Sequence, residues 1–170
     1  MGRACTGKGC AVKQIFILGS SNAFGVGGEN GGWADKIKKH YQKKMYQESG
    51  LGEICQIYNF SKPGATVGFV LDTYPDQLKH YGIKGQKVAI VSVGGNNAKA
   101  ENTKDNYVSS VEKFEQQMGQ LFDKLNQDFD DVMALGYRFY DETKTLPKSN
   151  PMTGGCSFFG MSERKNLIVS

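Results

Sequence analysis

Three short apolar runs, each closing on a loop of small or polar residues, constrain this chain more than any other feature. Lys13 to Leu18 carries Ile15-Phe16-Ile17-Leu18 and runs into Gly19-Ser20-Ser21. Glu53 to Phe60 carries Ile54, Ile57, Tyr58 and Phe60 and runs into the turn from Ser61 to Thr66. Lys87 to Val93 is almost continuously apolar, as a strand covered on both faces should be, and stops at Gly94-Gly95-Asn96-Asn97. Between the runs the period changes. Trp33, Ile37, Tyr41 and Met45 recur four apart and predict a helix with one apolar face. Thr66 is placed to cap a second helix carrying Val67, Val70 and Leu71, with Pro75 expected to kink or restart it. From Lys104 to Asn126, Val108, Val111, Phe114, Met118, Leu121, Phe122 and Leu125 predict a long third helix, and Asp131 to Leu135 a fourth strand. Beyond Gly136 the chain reads as loop, with Pro147, Pro151, Gly154 and Gly155, and Met161 to Val169 hints at one more element.

Strands alternating with helices imply βαβ units, a parallel sheet and helices on both of its faces. Ligands in such sheets bind beyond the carboxyl ends of the strands, which directs attention to the loops after Leu18, Phe60 and Val93. The 170 residues suffice for one core, with residues 1–12 expected as an N-terminal tail and 13–170 as the domain. Aromatic content of 11% and a net charge of only +4 argue against disorder. No apolar run reaches the roughly 18 residues of a membrane span, and Met1 to Val12 lacks the apolar stretch of a signal peptide, so a cytoplasmic location without membrane partners is expected. Lys36, Lys38, Lys39, Lys43 and Lys44 read as a solvated helix face rather than a nucleic-acid site. Cys5, Cys10, Cys55 and Cys156 are too scattered for a disulfide framework or zinc site, and Cys55 reads as a buried strand residue. No cofactor or metal is expected.

Each loop alone has a plain structural reading. Ser21, displayed where a strand ends, has an accessible hydroxyl followed by backbone N–H groups that could face an oxyanion, but small residues there also make tight turns. Gly64 in Asn59-Phe60-Ser61-Lys62-Pro63-Gly64-Ala65-Thr66 has no side chain to block approach to its N–H, and the same residues suit a turn before a capped helix. Gly94-Gly95-Asn96-Asn97 offers amide donors or an ordinary turn.

In this order, each after a strand, the loops resemble the blocks of the SGNH hydrolase superfamily, the GDSL-type esterases and lipases. "ILGSSNAFG" is similar to the first block with Ser21 in the nucleophile position, "NFSKPGAT" to the second with Gly64, and "VSVGGNNA" to the GxND block with Asn96. The resemblance spans about Lys13 to Gly136. It implies a three-layer α/β/α sandwich with a flavodoxin-like parallel sheet, and serine-dependent hydrolysis of small acyl or acetyl esters through an acyl-enzyme. In that scheme the N–H groups of Ser21 and Gly64 and the side-chain amide of Asn96 form the oxyanion hole. This chain departs from the family pattern where Ser20 replaces the usual Asp before the nucleophile and Asn97 the Asp that ends GxND.

The fourth block, DxxH, supplies the family's general base. A serine without a base is a poor nucleophile near neutral pH. The two histidines, His40 among the lysines of the first helix and His80 between the second and third blocks, both read as surface residues, and the chain is expected to be C-terminally incomplete, ending at Ser170 before a DxxH. Gly2 to Gly9 resembles a phosphate-binding loop but lacks its final Ser or Thr and a preceding strand. Gly25-Val26-Gly27-Gly28-Glu29-Asn30-Gly31 is not GxGxxG and is expected to be a mobile loop beside the pocket, with Trp33 anchoring the helix behind it. Two alternatives remain at this level: a non-catalytic ligand-binding module on the same fold, and a flavodoxin-like nucleotide binder using the loop after Leu18.

Overall fold

The computed structural model describes residues 12–47, 52–136, 147–149 and 154–159. Strand β1 (Lys13–Gly19) leads through a one-turn helix α1 (Ser21–Phe24) to α2 (Trp33–Met45). Then follow β2 (Cys55–Asn59), α3 (Val67–Tyr81), β3 (Gln86–Ser92), a second one-turn helix α4 (Gly95–Ala98), the two-residue strand β4 (Ala100–Glu101), α5 (Val111–Asp128) and β5 (Asp131–Ala134). Two short strands complete the described chain, β6 (Lys148–Ser149) and β7 (Cys156–Phe158). The expected hint of structure in 161–169, and Cys5, Cys10 and the Gly2 to Gly9 stretch, lie outside the described residues.

Four strands form a parallel sheet in the order β2-β1-β3-β5. Side chains alternate across a strand. In β1, Ile15 and Ile17 therefore face one way and join Ala34, Cys55 and Ile90 in a cluster onto which α2 packs Trp33, Ile37 and Tyr41. Phe16 and Leu18 face the other way and join Val67, Val70 and Tyr74 of α3 and Phe114, Leu121 and Leu125 of α5. The result is a parallel sheet with helices on both faces, as the alternation of periods predicts, in the three-layer, flavodoxin-like arrangement that the family resemblance implies. Gln14 is fully buried at the opposite end of β1 from the loops. Its amide donates to Gln56 Oε1 at 3.0 Å and the Tyr81 carbonyl at 2.9 Å, and accepts from the Ile83 N–H at 2.8 Å, so every polar atom has a partner.

Three local readings differ from the sequence expectation. The third helix starts at Val111, not Lys104. Asn102 takes a left-handed φ of 65°, Tyr107 bridges back to Ala100, and the Ser110 hydroxyl accepts from the Lys113 N–H at 3.2 Å, which fixes the start there despite the periodic Val108. Helix α3 runs through Pro75 without restarting, and Thr66 caps it by accepting from the Phe69 N–H at 3.3 Å. A small antiparallel sheet, β4-β7-β6, was not foreseen.

Candidate active site

Because β1 lies between β2 and β3, the loops leaving their carboxyl ends meet at one rim. Backbone hydrogen bonds stitch them together. The Ser20 N–H donates to the Ser92 carbonyl at 3.1 Å, and the Lys62 N–H donates to the Gly19 carbonyl at 3.1 Å. Gly19 has to be glycine: a Cβ there would stand 2.6 Å from the Ala23 Cβ and 2.9 Å from the Ser92 oxygen. The chain can thus turn sharply from β1 into α1, and Ser21, half-buried, is the first residue of that helix.

Gly64 lies exposed in the turn closed by the Ala65 N–H donating to the Lys62 carbonyl at 2.9 Å. Its φ of 84° favours glycine, while nothing stands within 4 Å of where a Cβ would sit. Among the described residues its N–H has no hydrogen-bond partner, and neither does the N–H of Ser21, which as the first residue of a helix lacks an intrahelical acceptor. Asn96, only 7% exposed, donates through Nδ2 to the Ala65 carbonyl at 2.9 Å. A primary amide has two N–H bonds, so one remains. Asn97, beside it, accepts the Val67 N–H on Oδ1 at 2.9 Å, fixing the start of α3 to the third loop. Ser20, at the other position where the residues depart from the family pattern, is buried, and its carbonyl accepts the Phe24 N–H at 2.9 Å.

Asn59, which opens the second loop, is a further organising residue. Its Nδ2 donates to the Ala23 carbonyl at 2.9 Å and its Oδ1 accepts the Ser61 N–H at 3.1 Å, tying α1 to the second loop. An asparagine at a strand end that opens a loop is the only sequence signal for it. The Lys62 ammonium lies 4.6 Å from the centre of the Phe69 ring, a cation held over an aromatic face beside this turn.

Both histidines are exposed and away from the rim. His40 comes seven residues after the start of α2, about 10 Å along the axis, and His80 lies near the far end of α3, about 20 Å from its start. Burial, and secondarily the nearby Glu53 carboxylate, pushes the Cys55 thiol up, consistent with a neutral core residue. The glycine-rich segment after Phe24 is exposed from Val26 to Gly31, but its ends meet closely: a Cβ on Gly25 would stand 2.8 Å from the Gly32 nitrogen, and the Gly32 N–H donates to Asp35 Oδ2 at 2.8 Å. A shallow groove of about 270 Å³, lined among others by Lys38, Met45, Cys55 and Tyr58, opens between α2 and β2 and includes none of the three loops.

Fold and loop order define an α/β protein whose candidate site lies on the loops after β1, β2 and β3. The chain belongs to the GDSL-like lipase/acylhydrolase family, whose model matches residues 15–158. Among solved structures it is similar to TesA, with a TM-score of 0.57 at 16% identity over 78% of this chain and 64% of that one. It is similar also to the psychrotrophic esterase EstA from a Pseudoalteromonas species, seen inhibited by monoethylphosphonate, with a TM-score of 0.57 at 15% identity over 92% of this chain and 69% of that one. A third is the lipase/acylhydrolase from Enterococcus faecalis, with a TM-score of 0.54 at 17% identity over 78% and 60%. The chain thus spans about two thirds of the length of these neighbours, and at such identities they show the shared fold. No curated protein sequence matches the chain.

Proposed function

We propose that the protein hydrolyses small carboxylic esters through an acyl-enzyme on Ser21. The observation that supports this reading is that the loops leaving the adjacent strands β1, β2 and β3 are tied together and carry free donors: the N–H groups of Ser21 and Gly64, unpartnered among the described residues, and the second N–H of Asn96. Donors of this kind stabilise the negative charge that develops on an ester carbonyl oxygen under attack, each worth about 3 kcal/mol. Ser21 Oγ forms the bond to the acyl carbon, its proton passes to solvent water, and the C–O bond to the alcohol breaks as the alkoxide takes up a proton from solvent. Water then attacks the acyl-enzyme, freeing the acid and restoring Ser21.

Neither histidine of the described residues is placed to take the serine proton, and the reading assigns the base to none of them. Without a base to take its proton, Ser21 is expected to attack an ester slowly, because a neutral serine hydroxyl is a weak nucleophile. Hydrolysis of p-nitrophenyl acetate tests the reading. It is expected to exceed the uncatalysed rate and to fall to background in Ser21→Ala; a rate unchanged by that substitution would count against it.

A further inference from the structure

The lysines of α2 form a geometric pattern. Lys36, Lys39 and Lys43 are spaced three and four apart, so they line up along one stripe about 10 Å long, on the side opposite Ala34, Ile37 and Tyr41, which face the core. All three are exposed, as is His40 beside them. The only carboxylate on α2, Asp35, is engaged with the Gly32 N–H at 2.8 Å. Among the described residues the ion pairs are Lys13 with Glu53 and Lys99 with Glu101, and neither involves α2. Among the described residues, no carboxylate forms an ion pair with the stripe.

Exposed apolar residues mark both ends of it. Phe24 is 54% and Val26 59% exposed, and Gly25 between them packs against Gly32 at the head of α2. Tyr46, just past the last turn, is 80% exposed. A core-packed helix needs neither the apolar residues nor an unpaired lysine row at its surface.

We propose that this face, the stripe Lys36, Lys39, Lys43 with Phe24 and Val26 at its head, docks on a bilayer rich in acidic lipid. Lysines on the polar side of a helix with apolar residues reaching outward suit a headgroup layer. Each lysine near an acidic membrane multiplies binding about five-fold, so three supply on the order of a hundred-fold. A single-stranded nucleic acid would instead call for aromatic rings interleaved along a basic groove, and the stripe itself carries none. Phe24 lies in the same one-turn helix as Ser21. The net charge of +4 does not by itself predict binding; its arrangement on one helix does.

Co-sedimentation of the whole chain with vesicles tests this without requiring turnover. Binding is expected to phosphatidylcholine vesicles containing 30% phosphatidylglycerol, not to phosphatidylcholine alone, and to weaken in 0.5 M salt. The triple variant Lys36→Gln/Lys39→Gln/Lys43→Gln is expected to bind on the order of a hundred-fold more weakly. Lys84→Gln/Lys113→Gln/Lys124→Gln, which removes the same charge from exposed sites elsewhere, keeps most of the binding. Phe24→Ser/Val26→Ser lowers the fraction retained at high salt. The proposal is overturned by equal binding of the two triple variants, by no binding to acidic vesicles, or by stripe-dependent binding to RNA in place of vesicles.

Discussion

The side-chain amide of Asn96 donates to the main-chain carbonyl of Ala65 at 2.9 Å, joining the loop after β3 to the loop after β2. One N–H of the amide is thereby fixed, which orients the other. The same residue is thus a brace between two loops and, in the proposed chemistry, a donor to the oxyanion.

Replacing Asn96 separates the two roles. Asn96→Ala leaves a buried carbonyl without its partner and is expected to cost about 1–3 kcal/mol of stability, read by denaturant titration. It should also lower the esterase rate of the folded protein by about 10²- to 10³-fold. A variant that loses stability but keeps its rate would leave Asn96 as a brace only.

Asn97 is expected to act on stability alone. Its Oδ1 accepts the first N–H of α3 at 2.9 Å, in a place only 3% exposed. Asn97→Leu removes the acceptor and should cost about 1–3 kcal/mol, whereas Asn97→Asp keeps it at a helix N-terminus and should lose less. Thermal denaturation of the two variants checks the order.

At Gly19 the constraint is space. With 2.6 Å to the Ala23 Cβ and 2.9 Å to the Ser92 oxygen, Gly19→Ala has to push α1 or β3 away and is expected to destabilise the protein by about 1–3 kcal/mol. Because Ser21 follows two residues later, the esterase rate should fall as well. Wild-type stability in this variant would show that the turn is looser than the packing implies.

Tyr74 sets an alkaline limit. Its ring is 1% exposed and its hydroxyl donates to Asp128 Oδ2 at 2.9 Å. Burial first, then the hydrogen bond and charge of Asp128, push the phenol well above its ordinary value near 10. Above that value the unfolded chain loses the proton while the folded chain keeps it, so the unfolded state binds fewer protons and stability falls as pH rises. The contribution is complete below pH 10 and is lost progressively above it. Tyr74→Phe should flatten this part of the stability curve between pH 9 and 11, at a cost of about 1 kcal/mol near neutrality.

Much of this fold was legible because its strands are unusually plain. Lys13 to Leu18 and Lys87 to Val93 are apolar on both sides, and the sheet does bury both faces of β1 and β3. The start of α5 is not legible, because Val108 continues the helical period, while the deciding contact, the Ser110 cap, is a single hydroxyl. Strands β4, β6 and β7 have two or three residues each, too few to show a period of two. At the rim, residue type and order suffice to nominate Ser21, Gly64 and Asn96 for the proposed site. The bonds that bring their loops together could not, because the acceptors at Gly19, Ala65 and Ser92 are main-chain carbonyls, which every residue has.

The central claim is that Ser21 is the nucleophile, and covalent trapping tests it most directly. The protein is incubated with an alkyl phosphonofluoridate, which transfers its phosphonyl group to a nucleophilic serine and releases fluoride, and the adduct is located by peptide mass spectrometry. The account predicts one phosphonyl group per chain, on Ser21, formed slowly and absent from Ser21→Ala. A label on Ser20, Ser61 or any other residue, or no label on a folded chain, would contradict it.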